Sequence, residues 1–202
     1  MKRQAPTLVL LGLGVAAALA VLWTLAGAPV REPGLPELVK LPAFTLSDTA
    51  GRAVSQQDLA GHPWVADLIF TTCAGICPRM TSEMRRLDED TRDLTELRLV
   101  SITVDPERDT PEVLKAYAAR VGADPRRWLF LTGDRAAIWQ LAREGLLLPV
   151  AEGNPKMGDE EIIHSQRFVL IDARGVVRAT YDVRDGEALA RLRTDLRQLT
   201  SE

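Results

Sequence analysis

The chain has 202 residues with 28 acidic and 25 basic side chains, a net charge of −3, so it lacks the basic excess that nucleic-acid binding requires. Hydrophobic residues at 46% and charged residues at 26% exclude a disordered or low-complexity protein. Two cysteines are too few for a disulfide-built scaffold.

The chain opens with Lys2 and Arg3, followed by an uncharged run from Thr7 to Ala28 (TLVLLGLGVAAALAVLWTLAGA). At 1.5 Å per residue, a helix of about 22 residues crosses a hydrocarbon core of roughly 30 Å. Basic residues ahead of it place the short N-terminus in the cytoplasm and everything after Val30 outside. Ala26-Gly27-Ala28 resembles a signal-peptidase site, but the run is longer than a signal h-region and Pro29 would directly follow the cut. The expectation is a retained single-pass anchor in the inner membrane, with the C-terminal domain facing the periplasm or cell exterior. Residues 1–30 are then cytoplasmic tip and anchor, and 31–40 are a linker containing the Pro/Gly-rich REPGLPEL. Residues 41–202 are one domain.

Within that domain, Phe44–Leu46 and Ala53–Val54 flank the turn SDTAG and predict a hairpin. Ser55 and Asp58 form a capping-box pattern for one helical turn. WVADLIF, Trp64 to Phe70, is an apolar run of strand length, as for a strand covered on both faces. Met80, Met84 and Leu87 then recur at helical spacing, so a helix starts beside Cys77. LRLVSITV, Leu97 to Val104, is the next strand. Thr110 caps a helix with Pro111 at its start and Gly122 past its end. Trp128–Leu131 is a short strand, and Asp134 caps a helix ending near Gly145. A polar stretch, Ala151 to Glu161, leads to His164. Phe168–Ile171 and Val176–Tyr181 form a hairpin, and a last helix runs from about Gly186 to Leu199. The order predicts an α/β domain of thioredoxin-like fold, a mixed central sheet with flanking helices, preceded by one transmembrane helix.

FTTCAGICPRM places both cysteines beyond the carboxyl end of the first buried strand, where open α/β sheets hold their ligands and chemistry. Cys77, ahead of Pro78, reads as the helix N-cap, and a helix N-terminus favours thiolate over thiol. An inert staple would gain little from so small a loop. The loop therefore predicts a working pair that binds a soft metal or exchanges electrons.

CAGICP, with VDPERDTPE at Val104–Glu112 and His164 just before FVLID, resembles the SCO/SenC copper chaperones that help assemble cytochrome c oxidase. The resemblance covers essentially all of the exported part, although Ala-Gly-Ile stands where many members carry Pro-Asp-Ile. It implies copper ligation by Cys73, Cys77 and His164, and the copper-receiving subunit of the oxidase as partner. Other periplasmic copper chaperones or thiol reductases are implied as further partners. Donor chemistry agrees: thiolates select Cu(I), imidazole accepts either oxidation state, and zinc would want a fourth ligand.

Asp67, charged within an apolar strand and six residues before Cys73, resembles the buried aspartate of thioredoxins that assists proton transfer to a thiol. It keeps open a second function, thiol-disulfide oxidoreductase with Cys73 and Cys77 as a redox-active disulfide. A redox sensor is a third, weaker reading. Asp105 and Asp109 read as turn and helix-start residues in preference to a second metal site. Met80 and Met84 read as core, His62 as solvated, and Met157 as an open thioether. The combined expectation is a metallochaperone without catalytic turnover.

Overall fold

The computed structural model describes residues 34–154 and 162–201. The apolar run Thr7 to Ala28 and Met157 lie outside them, and among the described residues no helix is long and apolar enough to cross a membrane. In chain order the elements are β1 (Val39–Lys40), a hairpin of β2 (Thr45–Ser47) and β3 (Ala53–Ser55), β4 (Trp64–Ile69) and α1 (Cys77–Asp90). Next come β5 (Arg98–Thr103), α2 (Pro111–Val121), β6 (Trp128–Leu131) and α3 (Arg135–Gln140). The chain ends with β7 (Val150–Glu152), β8 (Ile162–His164), β9 (Arg167–Ile171), β10 (Val176–Asp182) and α4 (Gly186–Ser201).

Six strands form one mixed sheet in the order β1-β10-β9-β4-β5-β6. β4 and β5 pair in parallel, as do β5 and β6, whereas β9 lies antiparallel to β4 and to β10. Every residue of β4 is buried, because the strand is central and both faces are covered. Alternation splits its side chains between two cores. Trp64, Ala66 and Leu68 pack with the β2–β3 hairpin and Ile138 of α3. Val65 and Ile69 pack with Met80, Met84 and Leu87 of α1, Leu114 of α2 and Leu192 and Leu196 of α4. The result is the expected α/β architecture, a mixed sheet with helices on both faces.

Local signals explain most boundaries. Thr110 accepts the Val113 N–H at 3.4 Å, and Gly122 closes α2 with a left-handed φ of 75°. Asp134 accepts the Ala137 N–H at 2.8 Å to start α3. That helix does reach Gly145, but its last stretch, Leu141–Gly145, winds as a π-helical turn.

Two stretches differ from the reading of the sequence. Part of the expected linker is docked on the domain: β1 pairs with β10, and the buried Arg178 guanidinium donates to the carbonyls of Leu35 and Pro36 and to Asp172. The expected polar stretch from Ala151 instead begins with the last two residues of β7 (Val150–Glu152), which pairs with β8 in a separate two-stranded sheet.

Candidate metal centre

β4 and β5 run in parallel and end side by side, so the loops leaving them share one edge of the sheet. The first carries the cysteines. A turn closed by Cys73 N–H to Phe70 O at 3.2 Å brings Cys73 back against the sheet. α1 then starts at Cys77 with Ile76 as N-cap, one residue earlier than expected, and no side chain caps it. The reason lies in the other cysteine: the Cys77 N–H, an orphan donor of the first turn, donates to Cys73 Sγ at 3.4 Å. The helix terminus therefore acts on Cys73.

His164 arrives from the β7–β8 hairpin, opposite Val150 in the register. Its Nδ1 lies 2.9 Å from Ser165 O, which can only accept, so Nδ1 carries the proton. Nε2 is thereby left with its lone pair, directed at Cys77 Sγ 3.1 Å away. The Phe70 ring meets the imidazole edge-on at 5.7 Å. The two sulfurs and the imidazole nitrogen all lie within 4.8 Å of one another, on three buried residues. No disulfide joins the two buried cysteines, where the redox reading expects one in the oxidised pair.

The two thiols differ in kind. Hydrogen bonding from Cys77 lowers the Cys73 thiol far below the ordinary range against opposing burial, helped by the backbone N–H groups of Cys77 and Gly75. The same hydrogen bond, followed by burial, raises the Cys77 thiol. Cys73 is thus the thiolate and Cys77 the thiol that donates to it. Asp67 lies on the α1 face of β4, fully buried, and neither of its oxygens makes a hydrogen bond of regular geometry. Burial pushes its carboxyl up to about 7, with the facing Ser101 hydroxyl and His164 pulling weakly the other way.

The SCO1/SenC family profile matches residues 36–200. The chain belongs to the SCO1/SenC family. The SCO1 protein homolog of Bacillus subtilis strain 168 is 35% identical over 141 residues, 69% of this chain and 72% of that protein. BsSco, a member of the Sco family of cytochrome c oxidase assembly proteins in which a disulfide switch is identified, superposes with a TM-score of 0.71. It is 29% identical and the match covers 85% of this chain and 98% of that one. Bradyrhizobium japonicum ScoI, solved with copper bound, gives a TM-score of 0.65 at 27% identity, covering 80% of this chain and 99% of the other.

In this SCO1/SenC chain the donor set is soft, two sulfurs and one nitrogen, which suits copper better than the hard cations that want oxygen. Zinc would need a fourth ligand for a closed site, and the cluster supplies three. The remaining sequence candidates sit elsewhere. His62 pairs with Glu96 through Nδ1 at 3.1 Å, and Met80 and Met84 are buried in the core. Asp105 and Asp109 join no metal-ligating group among the described residues. Asp109 does more than begin a helix, however. Its fully buried carboxylate accepts from the Thr71 N–H at 3.0 Å, the Thr71 hydroxyl at 2.5 Å and the Thr103 hydroxyl at 2.5 Å. The sequence signal for this is faint: two threonines stand directly before Cys73, with nothing to say which acidic residue they meet.

Proposed function

We propose that this SCO1/SenC protein is a membrane-anchored copper chaperone. It binds copper through Cys73, Cys77 and His164 and delivers it to the binuclear copper site of cytochrome c oxidase. Residues 1–30 anchor it in the inner membrane, and the domain faces the periplasm or cell exterior. The observation that carries the reading is the convergence of two sulfurs and one imidazole nitrogen within 4.8 Å, from segments 87 positions apart. The Nδ1–H···O=C bond supports it further by fixing the ring with Nε2 toward the sulfurs. Copper here is cargo, and no catalytic turnover is required.

The test is copper stoichiometry and affinity of the reduced full-length chain. We expect one copper per chain, with tight Cu(I) binding abolished in Cys73→Ser and in Cys77→Ser. His164→Ala should lose roughly tenfold or more in Cu(II) affinity but less in Cu(I), because Cu(II) depends on nitrogen donors and Cu(I) on the thiolates. Near-native affinity in either serine variant overturns the three-ligand reading.

One observation favours a second reading, thiol-disulfide oxidoreductase: the buried, unpartnered Asp67 carboxylate. The Cys73 thiolate would attack a substrate disulfide to give a mixed disulfide. Cys77, passing its proton to Asp67, would then attack Cys73 and release the substrate as a dithiol, two electrons having left the pair. If His164→Ala supports normal oxidase assembly while Asp67→Asn does not, this reading replaces the first.

A further inference from the structure

We infer that Asp109 is the positioning residue of the site: its carboxylate holds the Phe70–Cys73 turn, and with it the Cys73 sulfur, at ligand distance from Cys77 and His164. The inference rests on the copper reading above and goes further, to what keeps the three donors assembled before any metal arrives.

Cys73 sits at the end of a four-residue turn closed by its N–H to Phe70 O. One such bond does not fix where the turn points relative to the sheet. The second residue of that turn is Thr71, and it is tied twice to one carboxylate, through its N–H and through its hydroxyl. The third bond on that carboxylate comes from Thr103, the last residue of β5. Asp109 is itself fixed by its N–H to Asp105 O at 2.9 Å, and Asp105 N–H donates to the Thr103 hydroxyl at 3.0 Å. The loop after β5 therefore forms a closed network, and its outward product is a pair of acceptor positions aimed at the cysteine turn.

The residue type follows from that duty. A carboxylate offers two oxygens that only accept, and here three donors from two segments converge on them. An amide in its place can turn its N–H groups only toward the Thr71 hydroxyl oxygen, and that hydroxyl hydrogen then loses its acceptor. The arrangement parallels the way a metal-ligating imidazole is oriented by its other nitrogen, moved one step back along the chain to a ligating thiol.

The experiment compares the reduced full-length chain with Thr71→Val, Thr71→Ser, Thr103→Val and Asp109→Asn. Readouts are copper affinity by chelator competition, the Cu(II) absorption and electron paramagnetic resonance spectra, and the rate of Cys73 alkylation without metal. Thr71→Val removes one bond to the carboxylate and should lower copper affinity about tenfold, shift the Cu(II) spectra and change the alkylation rate several-fold. Thr71→Ser keeps the hydroxyl and should restore all three to within about twofold of the parent. Thr103→Val loosens the same carboxylate from β5 and should lower thermal stability, with a smaller loss of copper affinity than Thr71→Val because both Thr71 bonds to the carboxylate remain. Asp109→Asn should reproduce Thr71→Val; should it fail to fold, the threonine variants decide. Wild-type spectra, affinity and alkylation in Thr71→Val would overturn the inference. So would a larger loss of copper affinity in Thr103→Val than in Thr71→Val, since the carboxylate would then act through the fold and not through the turn. Absence of copper binding by the parent chain would instead refute the copper reading, with the alkylation rates still deciding the role of Asp109.

Discussion

Replacing Asp67 by Asn tests a fully buried carboxyl whose oxygens lack a hydrogen-bond partner. The Asp67 carboxyl titrates near 7 in the folded chain against 3.8 for an exposed aspartate, because burial disfavours the charged form. Between those two values the unfolded chain has lost its proton while the folded chain keeps it, so stability is highest at low pH and falls as pH rises toward 7. Integrating that difference from pH 5 to pH 8 gives a loss on the order of 2.5 kcal/mol from this one group. Asn cannot ionise, so the variant should escape the loss. Denaturant unfolding of both proteins, reduced, at pH 5, 6, 7 and 8 would show the gap widening in favour of Asp67→Asn and levelling off above 7. A gap that stays constant over this range would mean that Asp67 keeps an ordinary carboxylate affinity, through partners or water reaching the strand. The result bears on function as well, because a group titrating near 7 is poised to exchange a proton with the thiol pair.

Arg178→Ala removes the donor to the Leu35 and Pro36 carbonyls and the ion pair with Asp172, and should cost roughly 3 kcal/mol, the range for breaking a buried pair. Hydrogen exchange should speed up first at the Leu38 and Leu41 amides, which bond to Val177 O and Gly175 O; unchanged protection there would show that β1 docks without the arginine. For the anchor, intact mass of the full-length protein from membranes should include Met1 to Ala28, and a mature chain beginning at Pro29 would refute retention.

Much of this was readable in the chain because the deciding signals are local. WVADLIF announces a strand covered on both faces, and β4 is that strand. Thr110, Pro111 and Gly122 mark the ends of α2 within a residue. The cysteine pair and His164 were legible by type and order, and the fold brings them together. What escaped depends on partners distant in sequence. Val39–Lys40 has no strand pattern of its own and is a strand only because β10 offers an edge. β8 was hidden for the same reason, since three residues become a ladder only opposite Val150–Glu152. The N-cap was misplaced by one residue because a sulfur four positions upstream, and no ordinary capping side chain, takes the first N–H of α1. Asp109 looks from sequence like a helix opener; its partner Thr71 lies 38 positions away.

The wide separation of His164 from the cysteines also governs what a metal does to folding. Cys73 and Cys77 are four positions apart, so an unfolded chain can still chelate a soft ion between them. Drawing in His164 closes a loop of 87 positions, costing about 3 kcal/mol more in chain entropy by the logarithmic loop-length rule. The denatured ensemble is thus a two-sulfur competitor for Cu(I) and a poor one for an ion that requires the nitrogen. Since a ligand stabilises only by its preference for the native state, saturating Cu(I) should raise the melting temperature less than its affinity implies, whereas Cu(II) should raise it nearly in full.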